Sequence, residues 1–464
     1  MLFFRGADHR SLRISLTLLR REGAPLPRVE TDNGACAATA LITRAGATLW
    51  RYDMQLPAEA GAGYWLDGTF YPVETRFDGD LRIAFVSCNG QEHGDLDRPP
   101  ADRNALWTHL AESLDAEPTH LLLHGGDQVY ADEATQAHPA TRDWPDSYPE
   151  HLDPALRDEI RTALAEAFFL RYAIQWAQTG YAETVARLPS LSIWDDHDIC
   201  DGWGSLPHAA LDSDTGRLIF EVAREAMLLF QFGCAPDEHP EVCHGPGEGL
   251  GWSAKLPGMT LVTPDLRSER RPERVMGPDG WTKFRAALES AEAGRTFVIS
   301  SVPALGPRLS LVERAMKLTK HMEKYEDDLR DQWQSYAHRE EWRDFLSSLV
   351  TVHTRPDHAV TLISGEIHLA TRGTMETEAG PMHQLVASGI THPAPPWAYA
   401  RGLGLLARLG EAPLPKHKIR LHSLPGQRAV YADERNYLNL TRAGGQWQAS
   451  WYLEDSGATP AMAL

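Results

Sequence analysis

Four short apolar runs in this chain each stop at residues able to bind a metal ion or move a proton. Leu81–Val86 is followed by Ser87-Cys88-Asn89, and Leu121–Leu123 by His124-Gly125-Gly126-Asp127-Gln128-Val129-Tyr130. Leu191–Ile193 is followed by Trp194-Asp195-Asp196-His197-Asp198, and Ala359–Ile363 by Ser364-Gly365-Glu366-Ile367-His368. Each run has the length of a buried strand, and open α/β folds gather ligands where strands end. If Cys88, Asp127, Tyr130, Asp196, Asp331 and Glu366 meet, six groups capable of negative charge surround one cavity. Like charges resist ionising together, so such a cavity requires cations. Carboxylates suit calcium, magnesium or manganese. A thiolate beside a tyrosinate suits ferric iron. The scarcity of histidine among these residues speaks against a purely zinc site.

The elements that must position these residues follow from period and punctuation. Residues 1–79 alternate in short runs between Gly, Pro, Asn and Asp turn signals, which predicts a small all-β, sandwich-like domain ending near Phe77-Asp78-Gly79-Asp80. Residues 80–464 form the larger domain. Strands are expected at Leu81–Val86, His120–Leu123, Leu191–Ile193, Thr260–Val262, Thr296–Ser300, Val360–Ile363 and Trp447–Leu453. Helices are expected at Arg103–Asp115, where Leu106, Leu110 and Leu114 make one stripe, and at Pro154–Gln178 and Gly216–Phe232. Residues 308–350 read as charged helix. The Gly- and Pro-rich stretch Gly245–Gly258 and the Pro-rich stretch from His392 read as loops that could border a site.

The 464 residues carry 45 basic and 64 acidic side chains, a net charge of −19. That balance argues against long nucleic acid and against an anionic membrane as partners, while a small phosphorylated substrate remains compatible because a metal reverses the local sign. Five cysteines without CxxC spacing do not form a disulfide framework. No secretory h-region or twin arginine precedes an apolar run, and a cytoplasmic protein is the expectation.

The ordered pieces FVSCN (Phe85–Asn89), HGGDQVYADE (His124–Glu133), WDDHDICDGW (Trp194–Trp203) and SGEIH (Ser364–His368) resemble the alkaline phosphatase D, or PhoD-like, group of metallophosphoesterases. TPDLRSER (Thr263–Arg270), DQWQSY (Asp331–Tyr336) and VASGIT (Val386–Thr391) extend the resemblance. It implies an α/β fold with a metallophosphatase-type β-sandwich core flanked by helices, after a small all-β N-terminal domain. It also implies ferric iron with calcium, with manganese, zinc and magnesium as alternatives. Cys88, Asp127, Tyr130, Asp196, Asp331, Glu366 and His368 stand at metal-binding positions, Asp127 as the bridge. Glu366 stands where aspartate is more usual. His197 stands beside the substrate, and Arg267 is placed to clamp a non-bridging oxygen unless it only pairs with Asp265 or Glu269. Asp195 and Asp198 are expected to orient His197. Gln128 occupies a position where some relatives carry a phosphate-holding arginine, which favours diesters over monoesters. The reaction implied is in-line displacement at phosphorus by metal-activated water. A non-catalytic metal-binding scaffold and a nucleotide or short nucleic-acid phosphodiesterase are the alternatives. The near-complete ligand set speaks against the scaffold.

Overall fold

The computed structural model describes residues 1–307 and 331–464, so residues 308–330 of the helical stretch expected over 308–350 lie outside the described residues. The strands of one sheet are β1 (Leu2–Ala7), β2 (Ser11–Arg21), β3 (Ala38–Arg44), β4 (Ala47–Pro57), β5 (Leu81–Val86), β6 (Leu121–Gly125) and β7 (Ser190–Ile193). Those of a second sheet are β8 (Ser253–Leu256), β9 (Met259–Val262), β10 (Gly294–Ser300), β11 (His358–Ser364), β12 (Thr371–Met375), β13 (Met382–Val386), β14 (Glu411–Leu414) and β15 (His417–His422). The chain then returns to the first sheet through β16 (Asn436–Ala443) and β17 (Gln446–Leu453). The first sheet runs β17-β16-β5-β6-β7-β1-β2-β4-β3, the second β8-β9-β10-β11-β13-β12-β15-β14. Both have a parallel centre, β5-β6-β7 in one and β9-β10-β11-β13 in the other.

The two-residue period of a strand sorts the side chains into layers. Ile83 and Phe85 of β5 share a core with Phe297 and Ile299 of β10, so these faces meet between the sheets. Ala84 and Val86 point the other way, onto Leu106, Trp107 and Leu110 of helix α1 (Ala105–Ser113). Two further helices, α2 (Pro154–Trp176) and α3 (Asp214–Gln231), pack against each other. Helix α2 starts where it does because Pro154 fits the first turn and the Asp153 carboxylate accepts from the Ala155 and Leu156 amides. On the outer face of the second sheet, Val298, Val360 and Leu362 lie under α4 (Pro278–Glu289) and α5 (Arg339–His353) through Phe284, Leu288, Trp342 and Phe345. The result is helix, sheet, sheet, helix, and the expected α/β sandwich is borne out.

Residues 1–79 are strand and turn, yet they do not stand apart from the larger domain. β1 pairs in parallel with β7, so β1, β2, β4 and β3 extend the main sheet. Leu2, Phe4, Leu12 and Ile14 belong to the same core as Phe85 and Leu123. Local alternation reveals strands but not the remote partner that they pair with. A small four-stranded sheet within residues 29–72 is all that remains separate.

Candidate metal centre

The chemistry-bearing residues leave the carboxyl ends of the parallel strands. Cys88 follows β5, Asp127 follows β6, and Asp195 and Asp196 follow β7. From the facing sheet, Ser301 follows β10, Glu366 and His368 follow β11, and Ser388 follows β13. Two glycines let these ends converge. A Cβ on Gly365 would lie 2.2 Å from Ser87 Oγ, and one on Gly126 would lie 2.7 Å from Asp195 Cβ, where φ is also +103°. Backbone strain concentrates at the same place. Cys88, Asp127, Glu366 and His368 have φ of 55°, 54°, 66° and 52° and are half of the eight non-glycine residues with positive φ among the described residues. Each such residue costs about 1–3 kcal/mol, and persists only where surrounding structure holds it.

Asp198 supplies part of that hold. Buried, it accepts from the backbone amides of Asp127 (2.9 Å), Gln128 (3.0 Å), Val129 (3.3 Å) and Asp195 (3.0 Å) and from Gln231 Nε2 (2.8 Å). One carboxylate thus ties the loop after β6 to the loop after β7. Asn436 does the same for the loop after β13, bonding both backbone groups of Ser388 (3.1 and 2.7 Å).

Within this frame Cys88 Sγ lies 3.3 Å from Asp127 Oδ2 and accepts from Ser388 Oγ at 3.2 Å. Tyr130 Oη lies 3.1 Å from His368 Nε2. The Tyr130 ring stacks on His197 at 4.2 Å, and His368 stacks on His392 at 3.4 Å. Donor atoms of Cys88, Asp127 and His368 lie within 4.8 Å of one another, as do those of Asp127, Asp195 and Asp196 and those of Asp196, His197 and Asp201. Asp127 is common to the first two groups. Glu366 sits beside this cluster, its carboxylate held by Gln332 Nε2 at 2.8 and 2.9 Å.

The electrostatics divide the acids into two sets. Arg267, fully buried, bonds the Asp195 carboxylate, meets both oxygens of Asp331 at 2.7 and 2.6 Å, and reaches Asp196 Oδ1 at 3.3 Å. Arg270 adds a contact of 3.2 Å to Asp331. Burial alone would raise Asp331, but these guanidinium groups outweigh it and hold the carboxyl below its ordinary range. The second set has no such cation. Burial, then Cys88 and the neighbouring carboxylates, push Asp127 well above the usual carboxylate range. Burial and Asp331 do the same to Glu366. Burial raises the Cys88 thiol, and burial with Cys88 and Asp127 raises Tyr130. Asp127 Oδ1 is buried with no hydrogen-bond partner. Thiol, phenol, carboxylates and imidazole on one spot with no compensating cation among the described residues make a donor set that fits a metal cation.

Several expectations change. Arg267 is no phosphate clamp, since it is inaccessible and its donors are taken, and its side-chain partners are Asp195, Asp196 and Asp331, not Asp265 or Glu269. Asp331 serves that guanidinium and Ser205 Oγ (2.9 Å) and does not face the Asp127 cluster as a free donor. Gln128 turns inward onto His124 Nδ1 (2.6 Å) and Gly126 O (3.2 Å), so its side chain does not read the substrate. His197 is oriented by Asp132, whose two oxygens are each 3.0 Å from Nδ1, and not by Asp195 or Asp198. Burial opposes charge on His197, yet Asp132, Asp196 and Asp201 outweigh it and hold the imidazolium well above its ordinary pKa. Sequence reasoning also passed over Glu92, 3.2 Å from His392 Nε2, and Ser388, though Ser388 lies inside the VASGIT piece.

The fold is of the metallophosphatase type. Over all of this chain it matches the solved structure of PhoD with a TM-score of 0.59 at 13% identity, covering 88% of that protein. It matches purple acid phosphatase PPD1 of yellow lupin (Lupinus luteus) with a TM-score of 0.52 at 8% identity, again over all of this chain and 73% of that one. The model of the PhoD related phosphatase family matches residues 102–326, which bears out the resemblance carried by the motifs. An uncharacterized protein of Saccharomyces cerevisiae is 21% identical over 411 residues, 73% of this chain, which spans 58% of that relative's length.

Proposed function

We propose that this chain is a metal-dependent phosphoesterase whose ferric iron and calcium are held by Cys88, Asp127, Tyr130, Asp196, Glu366 and His368. Asp127 carries the reading: it is buried, shared by two donor groups, uncompensated by any cation, and left with an unpartnered oxygen. Bound there, the metals supply Lewis acidity and an activated water for attack at phosphorus. Strain at Cys88, Asp127, Glu366 and His368 keeps the donors aimed before metal arrives. His197, held cationic and fixed through Nδ1 by Asp132, donates a proton to the phosphoryl or leaving-group oxygen. Arg267 and Asp331 lock the Asp195–Asp196 turn instead of touching substrate.

Diesters are the favoured substrates. The one arginine nominated for phosphate is consumed internally, so the extra charge of a monoester finds less compensation. Elemental analysis of the protein purified without added metal should find iron near one equivalent together with calcium. Asp127→Asn should lose turnover of a chromogenic diester while retaining its circular dichroism. Normal turnover in that variant would refute the site, and faster monoester than diester hydrolysis by the parent chain would refute the diester preference.

A further inference from the structure

The Pro-rich segment that the sequence assigned to a loop contains an eleven-residue helix, α6 (Trp397–Ala407), begun by Pro396. Its buried side, Ala400 and Ala407 with half-buried Leu403, packs on Leu369 and Ile367, the neighbours of His368. The helix is therefore seated on the wall of the metal centre. Its other side is open. Trp397 is 67% exposed, Tyr399 55%, Leu405 62%, and Leu409 just beyond the helix 61%. Only Tyr336, at 64%, interrupts them as the most exposed large apolar side chains among the described residues. At 100° per residue, Trp397, Arg401, Leu405 and Arg408 fall on one face. The Arg401 guanidinium lies 5.8 Å from the centre of the Trp397 ring.

Charge tells what fits this face. Between Glu378 and Asp433 the chain carries six basic residues, Arg401, Arg408, Lys416, Lys418, Arg420 and Arg428, and one acid, Glu411. All six cations are exposed, Arg420 lying 3.2 Å from Glu376 just outside this stretch, whereas the Glu411 carboxylate is 7% exposed and pairs with Arg339 at 3.2 Å. This local excess of five positive charges sits on a chain of net −19. The overall acidity argues against an anionic surface as partner; here the sign is reversed where the most exposed large apolar side chains among the described residues cluster. Exposed Trp, Tyr and Leu interleaved with Arg and Lys are the composition of a helix lying in a lipid headgroup plane. Apolar rings enter the acyl boundary, and arginines keep their heads among the phosphates.

We infer that α6, with Lys416 and the basic strand β15 that follow it, docks the protein on an anionic lipid surface. The test uses the whole chain and does not depend on catalysis. Co-sedimentation is measured with vesicles of phosphatidylcholine alone and with about 30% phosphatidylserine, at about 0.1 and 0.5 M salt. Binding to the anionic vesicles at low salt, weakened at high salt, is expected. The triple variant Trp397→Ala, Leu405→Ala, Leu409→Ala should partition at least about tenfold less. Its unfolding curve should match the parent, because each altered side chain is mostly in solvent. Arg401→Glu with Arg408→Glu should also reduce binding. Absence of parent binding, unchanged binding by the triple variant, or equal binding to neutral vesicles would each overturn the inference. So would a dimer of the parent, seen by sedimentation without lipid and abolished by the triple variant, since a second copy would then be the occupant.

Discussion

Arg267 separates a substrate-binding role from a structural one. Replacing it with Met keeps much of the side chain's volume and removes a guanidinium that contacts three carboxylates with none of its surface exposed. Arg270 remains at 3.2 Å from Asp331, so the loss falls mainly on Asp195, which keeps Ser301 Oγ at 2.7 Å as its other donor. Removing one partner of a buried ion pair costs about 3–5 kcal/mol, chiefly because the other charge stays buried and unpaired. Against the roughly 5–15 kcal/mol that holds a domain together, that is a large fraction. With a urea slope of about 3 kcal/mol per molar, the midpoint should fall by roughly 1 M. Arg267→Lys restores charge without the fork and should lie between parent and Met variant. Adding Asp195→Asn to Arg267→Met should recover stability, because it removes the orphaned charge. The assay is urea unfolding followed by tryptophan fluorescence, beside steady-state kinetics on a diester. A parental midpoint with a KM raised at least about tenfold would return Arg267 to the substrate and refute the structural assignment.

Asp132→Asn removes the charge that outweighs burial at His197. The His197 pKa should fall, moving the alkaline limb of the pH–rate profile to lower pH, with kcat down about ten- to a hundredfold; an unmoved limb would remove His197 from the proton transfer. Dialysis against a chelator should lower the unfolding temperature, because nothing else neutralises Asp127, Cys88 and Glu366, and re-addition of metal should restore it. Burial lowers His120 from 6.5 to about 4. The unfolded chain thus binds a proton there that the folded chain refuses between those values, and stability falls on acidification through that window. Between pH 7.5 and 5 this contributes about 2 kcal/mol, which His120→Gln should remove; an identical pH slope in that variant would refute it.

What the sequence made legible follows from how local the governing physics is. The runs before Cys88, Asp127, Asp196 and Glu366 could be read because an apolar strand that ends at a carboxylate or thiol changes character within two residues. Helix α2 could be read because its cap and its stripe lie inside it. The join of β1 to β7 could not, since Phe3 meets Ser190 across almost two hundred residues of chain and neither carries a mark of the other. Directions of polar side chains were equally hidden. Gln128 neighbours Asp127 in sequence, but it lies beyond the end of β6 and its side chain turns onto His124, a direction set by the loop and not by strand alternation. Helix α6 escaped because its exposed face is apolar, the inverse of the pattern that marks a surface helix.

The arginines and the metal centre are two answers to one electrostatic problem. Asp127, Asp195, Asp196, Asp198 and Asp331 are all at most 9% exposed, brought together by strand ends that the sandwich forces into one place. Asp198 is satisfied by backbone amides and Asp331 by Arg267 and Arg270, while Arg267 also reaches one oxygen each of Asp195 and Asp196. Asp198 and Asp331 are thus scaffold, and Asp195 and Asp196 remain within the donor group around Asp127. Asp127, Cys88 and Glu366 receive no cation from the described residues, and they stand on strained backbone that a packing role alone would not maintain. Two buried arginines serve the carboxylates on the Asp195 side, while the adjoining carboxylates and thiol have no cation among the described residues, and this is the half of the cavity where the proposed phosphoesterase would take its metal. In that proposal the fixed cations hold the turn that carries Asp196 and His197, and the uncompensated donors receive the metal.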